Sequence, residues 1–93
     1  MSDVFDALAH PVRRQILKML RKKPMSAGDI AEAFDLAKPT LSGHFAVLKA
    51  ADLVSTERRG TSIIYRIKMS VLEEAAAGLM ELAGVKRGKE RAE

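Results

Sequence analysis

The hydrophobic period of this 93-residue chain changes twice, and those changes limit what it can fold into. Up to Asp52 the apolar residues recur three and four apart, the spacing of one helix face. From Val54 to Ile67 they alternate as in a strand, and from Val71 the helical spacing returns. A chain of this length makes one domain with a thin core, so association with another copy is expected. Its hydrophobic fraction of 47% is that of a folded protein rather than a disordered one.

Punctuation divides the helical part. Val4, Phe5 and Leu8 form a first stripe that ends near Ala9, because His10 precedes a proline and avoids the α region. Pro11 suits the first turn of a second helix, where its missing N–H costs nothing. That helix places Val12, Ile16 and Leu20 on one face with Leu17 and Met19 beside them, and Pro24 stops it. Ser26, with Asp29 three residues on, reads as the cap of a short third helix carrying Ile30, Ala31 and Phe34. After a break at Asp35 and Leu36, a fourth helix spans Lys38 to Ala50 with an apolar stripe of Leu41, Phe45 and Leu48. Strands at Val54–Arg58 and Ser62–Ile67 flank a turn at Arg59-Gly60-Thr61, where Gly60 supplies any positive φ. Ser70 caps a last helix from Val71 to Ala83. The predicted architecture is mainly α, in the order α-α-α-α-β-β-α, with one domain over residues 1–83. The basic segment 84–93, holding Lys86, Arg87, Lys89 and Arg91, is expected to be a disordered tail.

Several function classes are excluded or disfavoured. The chain has no cysteine, so disulfides, thiolate metal sites and thiol redox chemistry are absent, in keeping with a reducing cytoplasm. Asp3 and Asp6 near the start argue against a signal peptide, and no apolar run is long enough for membrane insertion. The two histidines, His10 and His44, lie in no clustered ligand motif, so no metal or other cofactor is expected. His10 reads as a helix-start residue, and His44 as a residue beside the exposed face that bonds a phosphate or the backbone. No phosphate-cradling glycine loop, nucleophile elbow or HExxH occurs, and adjacent Glu73 and Glu74 diverge on a helix, so the chain is not expected to be an enzyme.

The fourth helix carries the functional signal. Opposite its apolar stripe lie Pro39, Gly43, Ala46 and Ala50, flanked by Thr40 and Ser42, and no acidic residue occurs from Lys38 to Ala50. A free surface helix is usually filled with Glu, Lys or Gln. Small, acid-free residues instead suit a helix pressed into the DNA major groove. Ala37 stands where a capping Ser, Thr or Asp would add about 1 kcal/mol, and Lys38 sits at the positive end of the helix dipole. Both make sense if a phosphate binds that terminus. Gly43 also weakens the helix, by about 1 kcal/mol relative to alanine, which close approach to DNA explains. Arg58 and Arg59, at the hairpin tip, can hold a phosphate or enter the minor groove. This is the pattern of a winged helix-turn-helix binding duplex DNA. A winged helix used for protein interaction or RNA binding is the alternative.

Two further apolar stripes have little core to cover. Leu72, Ala75, Leu79 and Leu82, with Ala76 alongside, line the last helix, and Val4, Phe5 and Leu8 line the first. A two-fold homodimer built on these helices would set two recognition helices roughly 34 Å apart and imply a palindromic operator.

The segment Asp6-Ala7-Leu8-Ala9-His10-Pro11-Val12-Arg13-Arg14-Gln15-Ile16-Leu17 resembles the opening signature of the ArsR family of bacterial winged-helix repressors. Residues 27–36, then Lys38-Pro39-Thr40-Leu41-Ser42-Gly43-His44-Phe45, resemble its helix-turn-helix, and Arg58-Arg59-Gly60 to Tyr65 its wing. The resemblance spans about residues 4–83 and within the family points to the SdpR-like autorepressors. It implies a cytoplasmic, nucleoid-associated repressor that reads DNA through Lys38, Thr40, Ser42 and Gly43, with Arg58 and Arg59 on the wing. The family's thiol-type sensors carry a thiolate pair where this chain reads Asp29-Ile30-Ala31-Glu32-Ala33-Phe34. The His/Asp set of zinc-type sensors is likewise missing from the last helix. The resemblance therefore implies no metal switch by either route, and leaves a protein partner, a small molecule or nothing as inducer.

Overall fold

In the computed structural model, residues 4–85 are described, and they fold around a cluster of buried side chains from four helices and a hairpin. The elements are α1 (Val4–Leu8), α2 (Pro11–Lys22), β1 (Met25–Ser26), α3 (Ala27–Ala31), α4 (Lys38–Ala50), β2 (Val54–Arg59), β3 (Ser62–Ile67) and α5 (Met69–Ala83). The expected basic tail from Lys86 onward lies outside the described residues, as do residues 1–3.

The helix boundaries follow from local chemistry. His10 caps α2: it is extended, and its Nδ1 accepts the Val12 N–H at 3.1 Å. Lys23, before Pro24, is also extended and ends α2. Ser26 Oγ accepts the Asp29 N–H at 3.0 Å and starts α3. The C-terminus of α4 closes by paired bonds, Leu53 N–H to Leu48 O and Asp52 N–H to Lys49 O. Asp52 takes a positive φ of 62° in this Schellman arrangement, and Leu48 and Leu53 are both fully buried beside it. Gly84 ends α5 in the same way, with φ 74°.

Three expectations are corrected. Met25–Ser26 forms a strand, so the order is α-α-β-α-α-β-β-α, and the sheet order is β1-β3-β2 with both pairings antiparallel. Two residues carry no alternation, so only pairing with Tyr65 and Ile64 of β3 makes this a strand. Ser70 does not cap α5, which starts one residue earlier behind Lys68 without any side-chain cap. The third helix ends at Ala31, and Phe34 follows it through a turn held by Ala33 N–H to Ile30 O and Phe34 N–H to Ala31 O. The hairpin matches expectation closely: Arg59 pairs with Ser62, which leaves Gly60 and Thr61 as a two-residue loop with Gly60 at φ 60°.

The core is centred on Ile16, Ile30, Leu48 and Leu53, one from each of α2, α3, α4 and the approach to β2, all at 0% exposure. Burying each such side chain contributes about 1.5–3 kcal/mol. Leu48→Ala should therefore cost about 2–5 kcal/mol of unfolding free energy. Urea denaturation followed by circular dichroism measures this, and a loss under 1 kcal/mol would show that α4 is not seated as described.

Candidate nucleic-acid interface

Helix α4 has one locked side and three free or semi-free ones. Leu41, Phe45 and Leu48 are its buried residues, and Phe45 stacks on Tyr65 of β3 with ring centroids 4.6 Å apart. At about 100° per residue this fixes the opposite side as Pro39, Gly43, Ala46 and Ala50. All four are exposed, as are Lys38, Thr40 and Ser42. Ala37 has an extended backbone and makes no side-chain cap bond, and no acid occupies the first turn. The N–H groups there are open to an anion, with Lys38 beside them.

The two flanks of α4 differ. Ser42, Ala46 and Lys49 line a recess of about 330 Å³ with Phe45 and Tyr65, between the helix and the hairpin. Lys49 was not among the sequence candidates. It lies two helical turns after Ser42, a spacing that would have placed it on the same flank. On the other flank, His44 is turned toward the start of α2. Its Nδ1 lies 3.1 Å from an Arg13 guanidinium nitrogen, and its ring is 4.4 Å from that of His10. Within the chain His44 is thus held by side chains of the α2 start, with no backbone bond to its ring among the described residues. Burial, then electrostatic interaction with His10 and Arg13, holds its pKa below the ordinary histidine value of 6.5.

The hairpin sorts its two tip arginines by strand alternation. Arg58 shares a face with Thr56, Val54 and, across the ladder, Tyr65, which is the face that packs on α4. Arg59 lies on the outer face with Glu57, whose carboxylate receives Arg59 Nε and Arg66 at 3.3 Å each. The Arg59 bond and charge, then those of Arg66, lower the Glu57 pKa. All three side chains are exposed, so each pair is worth little, but Arg59 has an acid neighbour while Arg58 has no ion pair among the described residues.

A helix-turn-helix domain family matches residues 8–57, which cover α2 through most of β2. The transcriptional repressor SdpR of Bacillus subtilis is 43% identical over 75 residues, 81% of this chain and 83% of that protein. The crystal structure of an ArsR family transcriptional regulator superposes with a TM-score of 0.73 at 28% identity, covering 88% of this chain and 93% of that one. The chain is a member of the ArsR family. A longer relative, the HTH-type transcriptional regulator KmtR of Mycobacterium tuberculosis, is 41% identical over 66 residues, which span 71% of this chain but 51% of that one.

Other predicted positions can be placed on this family fold. Val4, Leu8 and Leu72 are partly buried against the core, and Ala75 is buried at 8% exposure. Ala76 is exposed, and Phe5, Leu79 and Leu82 are exposed at 50%, 47% and 86%. Among the described residues no group of three His, Cys, Asp or Glu side chains could hold a metal.

A Cβ added at Gly43 would meet nothing within 4 Å. Gly43→Ala should therefore stabilise the fold by about 1 kcal/mol through helix propensity. The same methyl stands on the exposed side of α4, so if that side meets DNA duplex affinity should fall. Thermal unfolding and fluorescence anisotropy on one preparation separate the two effects, and a variant that is both more stable and equally tight would remove α4 from close contact.

Proposed function

We propose that this ArsR-family chain is a sequence-specific transcriptional repressor that binds a palindromic operator as a homodimer, laying α4 of each protomer in the major groove. The observation that carries the reading is the face of α4. Its apolar side is committed to the core, and what remains outside is small, acid-free and uncapped. Thr40, Ser42 and Gly43 are positioned to meet base edges, with Pro39 packing alongside and Lys38 with the free N–H groups meeting a phosphate. Arg58, on the α4 side of the hairpin, is the wing cation best placed for the adjacent backbone. Arg59, shared with Glu57, is the weaker one. His44 acts from behind the helix rather than at its DNA face.

Dimerisation rests on Phe5, Leu79 and Leu82, large apolar side chains exposed on two helices that touch one another. Val4, Leu8, Leu72 and Ala75 support the same surface from below, and Ala76 is exposed on it. Regulation by metal through the usual family sites is not part of the proposal. The proposal includes a protein or small molecule as the inducer, if there is one, and a place for the protein at the nucleoid of a bacterial cytoplasm.

Selection from a random duplex pool should return an inverted repeat with half-sites about one turn apart. Thr40→Ala should then relax preference at particular base pairs, each worth about 1–3 kcal/mol. Arg58→Ala should weaken all duplexes and reduce the salt slope by about 1, with a smaller change for Arg59→Ala. Equal binding of random and selected duplexes at physiological salt would favour a non-specific or protein-binding role. Leu79→Lys should convert the protein to a monomer by analytical ultracentrifugation while circular dichroism stays unchanged. A dimer that survives this change must use another face.

A further inference from the structure

Arg13 joins two parts of the molecule that the fold otherwise leaves to packing. Its Nε donates to the Ala7 carbonyl at 2.8 Å, and one terminal nitrogen donates to the Asp6 carbonyl at 3.1 Å. These carbonyls belong to the last turn of α1, where the Asp6 carbonyl also accepts the Ala9 N–H at 3.2 Å. The other terminal nitrogen reaches His44 Nδ1 at 3.1 Å, in the middle of α4. A guanidinium only donates, so Nδ1 must accept and the ring proton sits on Nε2. The His10 ring packs on the far side at 4.4 Å, fixed by its own bond from the Val12 N–H. A planar fork thus ties the recognition helix to the end of α1.

We propose that Arg13 is a positioning residue for operator recognition: through His44 it sets the orientation of α4 relative to α1, and it does so only while His44 is neutral. The inference rests on the reading of α4 as the DNA-binding helix. Sequence-specific contacts need α4 placed to within a fraction of an ångström, whereas non-specific phosphate binding does not. Protonation of His44 turns Nδ1 into a donor facing a cation, which abolishes the bond and adds repulsion from Arg13. The charged and titratable groups around His44 are Arg13 and His10 at the start of α2 and Asp6, the acid of α1, whose carbonyl already holds the guanidinium. Helix α4 brings no acid of its own. With the His44 pKa depressed, the folded state takes up this proton less readily than the unfolded chain. The neutral, bonded form is therefore complete above about pH 6.5 and is lost as pH falls from there through the lower folded value. This sign is distinctive, because acid otherwise makes a protein more cationic and tightens its binding to DNA.

The test compares an operator duplex selected as above with a random duplex, from about pH 7.5 to about pH 5.5, for wild type, Arg13→Gln, Arg13→Lys and His44→Asn. Wild type should lose operator affinity as pH falls below about 6.5, by up to about tenfold, the scale of one charge-assisted bond, while random duplex does not weaken. Arg13→Gln should bind the operator about tenfold more weakly at neutral pH and show no acid-induced loss, with circular dichroism unchanged. Arg13→Lys should fail to rescue, since one ammonium cannot span three acceptors in a plane. His44→Asn, whose Oδ1 can accept the same N–H at every pH, should bind normally at neutral pH and lose the acid dependence. If Arg13→Gln does not fold, the His44→Asn profile decides alone, and a retained acid loss there overturns the proposal. Full rescue by lysine, or wild-type affinity and profile in Arg13→Gln, also overturns it. Absence of any operator preference in wild type overturns the DNA reading together with this inference.

Discussion

Burial of Leu41, Phe45 and Leu48 sets the rotation of α4, and the other features of the interface depend on that rotation. Three buried large side chains contribute several kcal/mol between them, at about 1.5–3 kcal/mol each. Against this the helix carries an uncapped start, a mid-helix glycine and a lysine at the unfavourable end of its dipole, each worth about 1 kcal/mol or less. The packing term is larger, so the sequence can leave the outer face poorly suited to a free helix. Without the stripe, the segment from Lys38 to Ala50 has little reason to be helical on its own.

The surrounding elements hold α4 at three points. Its C-terminus is closed by the Leu53–Leu48 bond, and Leu53 O then accepts from Lys68 N–H at 2.8 Å, which fixes the base of the hairpin to the end of the helix. The Phe45–Tyr65 stack joins its middle to β3, the central strand. Arg13 and His44 join the opposite flank to α1, while Arg14 holds the Leu8 carbonyl at 2.7 Å beside them. The same helix is thereby coupled to the hairpin on one side and to the exposed apolar helices on the other. Helices α1 and α5 are thereby joined to α4 by short covalent and hydrogen-bonded paths.

Charge placement refines the picture given by composition. A net charge of +4 is modest, and the basic C-terminal segment supplies half of it. The specific interaction therefore depends on where a few cations stand. Lys38 is at an open helix terminus, Lys49 lines the recess toward the hairpin, and Arg58 stands on the α4 side of the wing. Arg59 and Arg66 share Glu57 on the outer face of the hairpin, whereas Arg58 on the inner face has no ion pair among the described residues.

The sequence determined most of the local structure, because its signals are local. Pro11 and Pro24 bracket α2, Ser26 with Asp29 starts α3, Gly60 sets the hairpin, and the Leu41–Phe45–Leu48 spacing fixes both the extent of α4 and its outward residues. Family membership was legible for the same reason, in contiguous motifs along the chain. Tertiary structure alone decided the two-residue strand at Met25–Ser26, which exists only through its partners on β3. It also separated Arg58 from Arg59, neighbours in sequence that alternation sends to opposite faces. Arg13 and His44, 31 residues apart, became one unit by the packing of α2 on α4. Residues joined only by a fold leave no periodicity or spacing in the chain, so their pairing is fixed by packing and cannot be read before it.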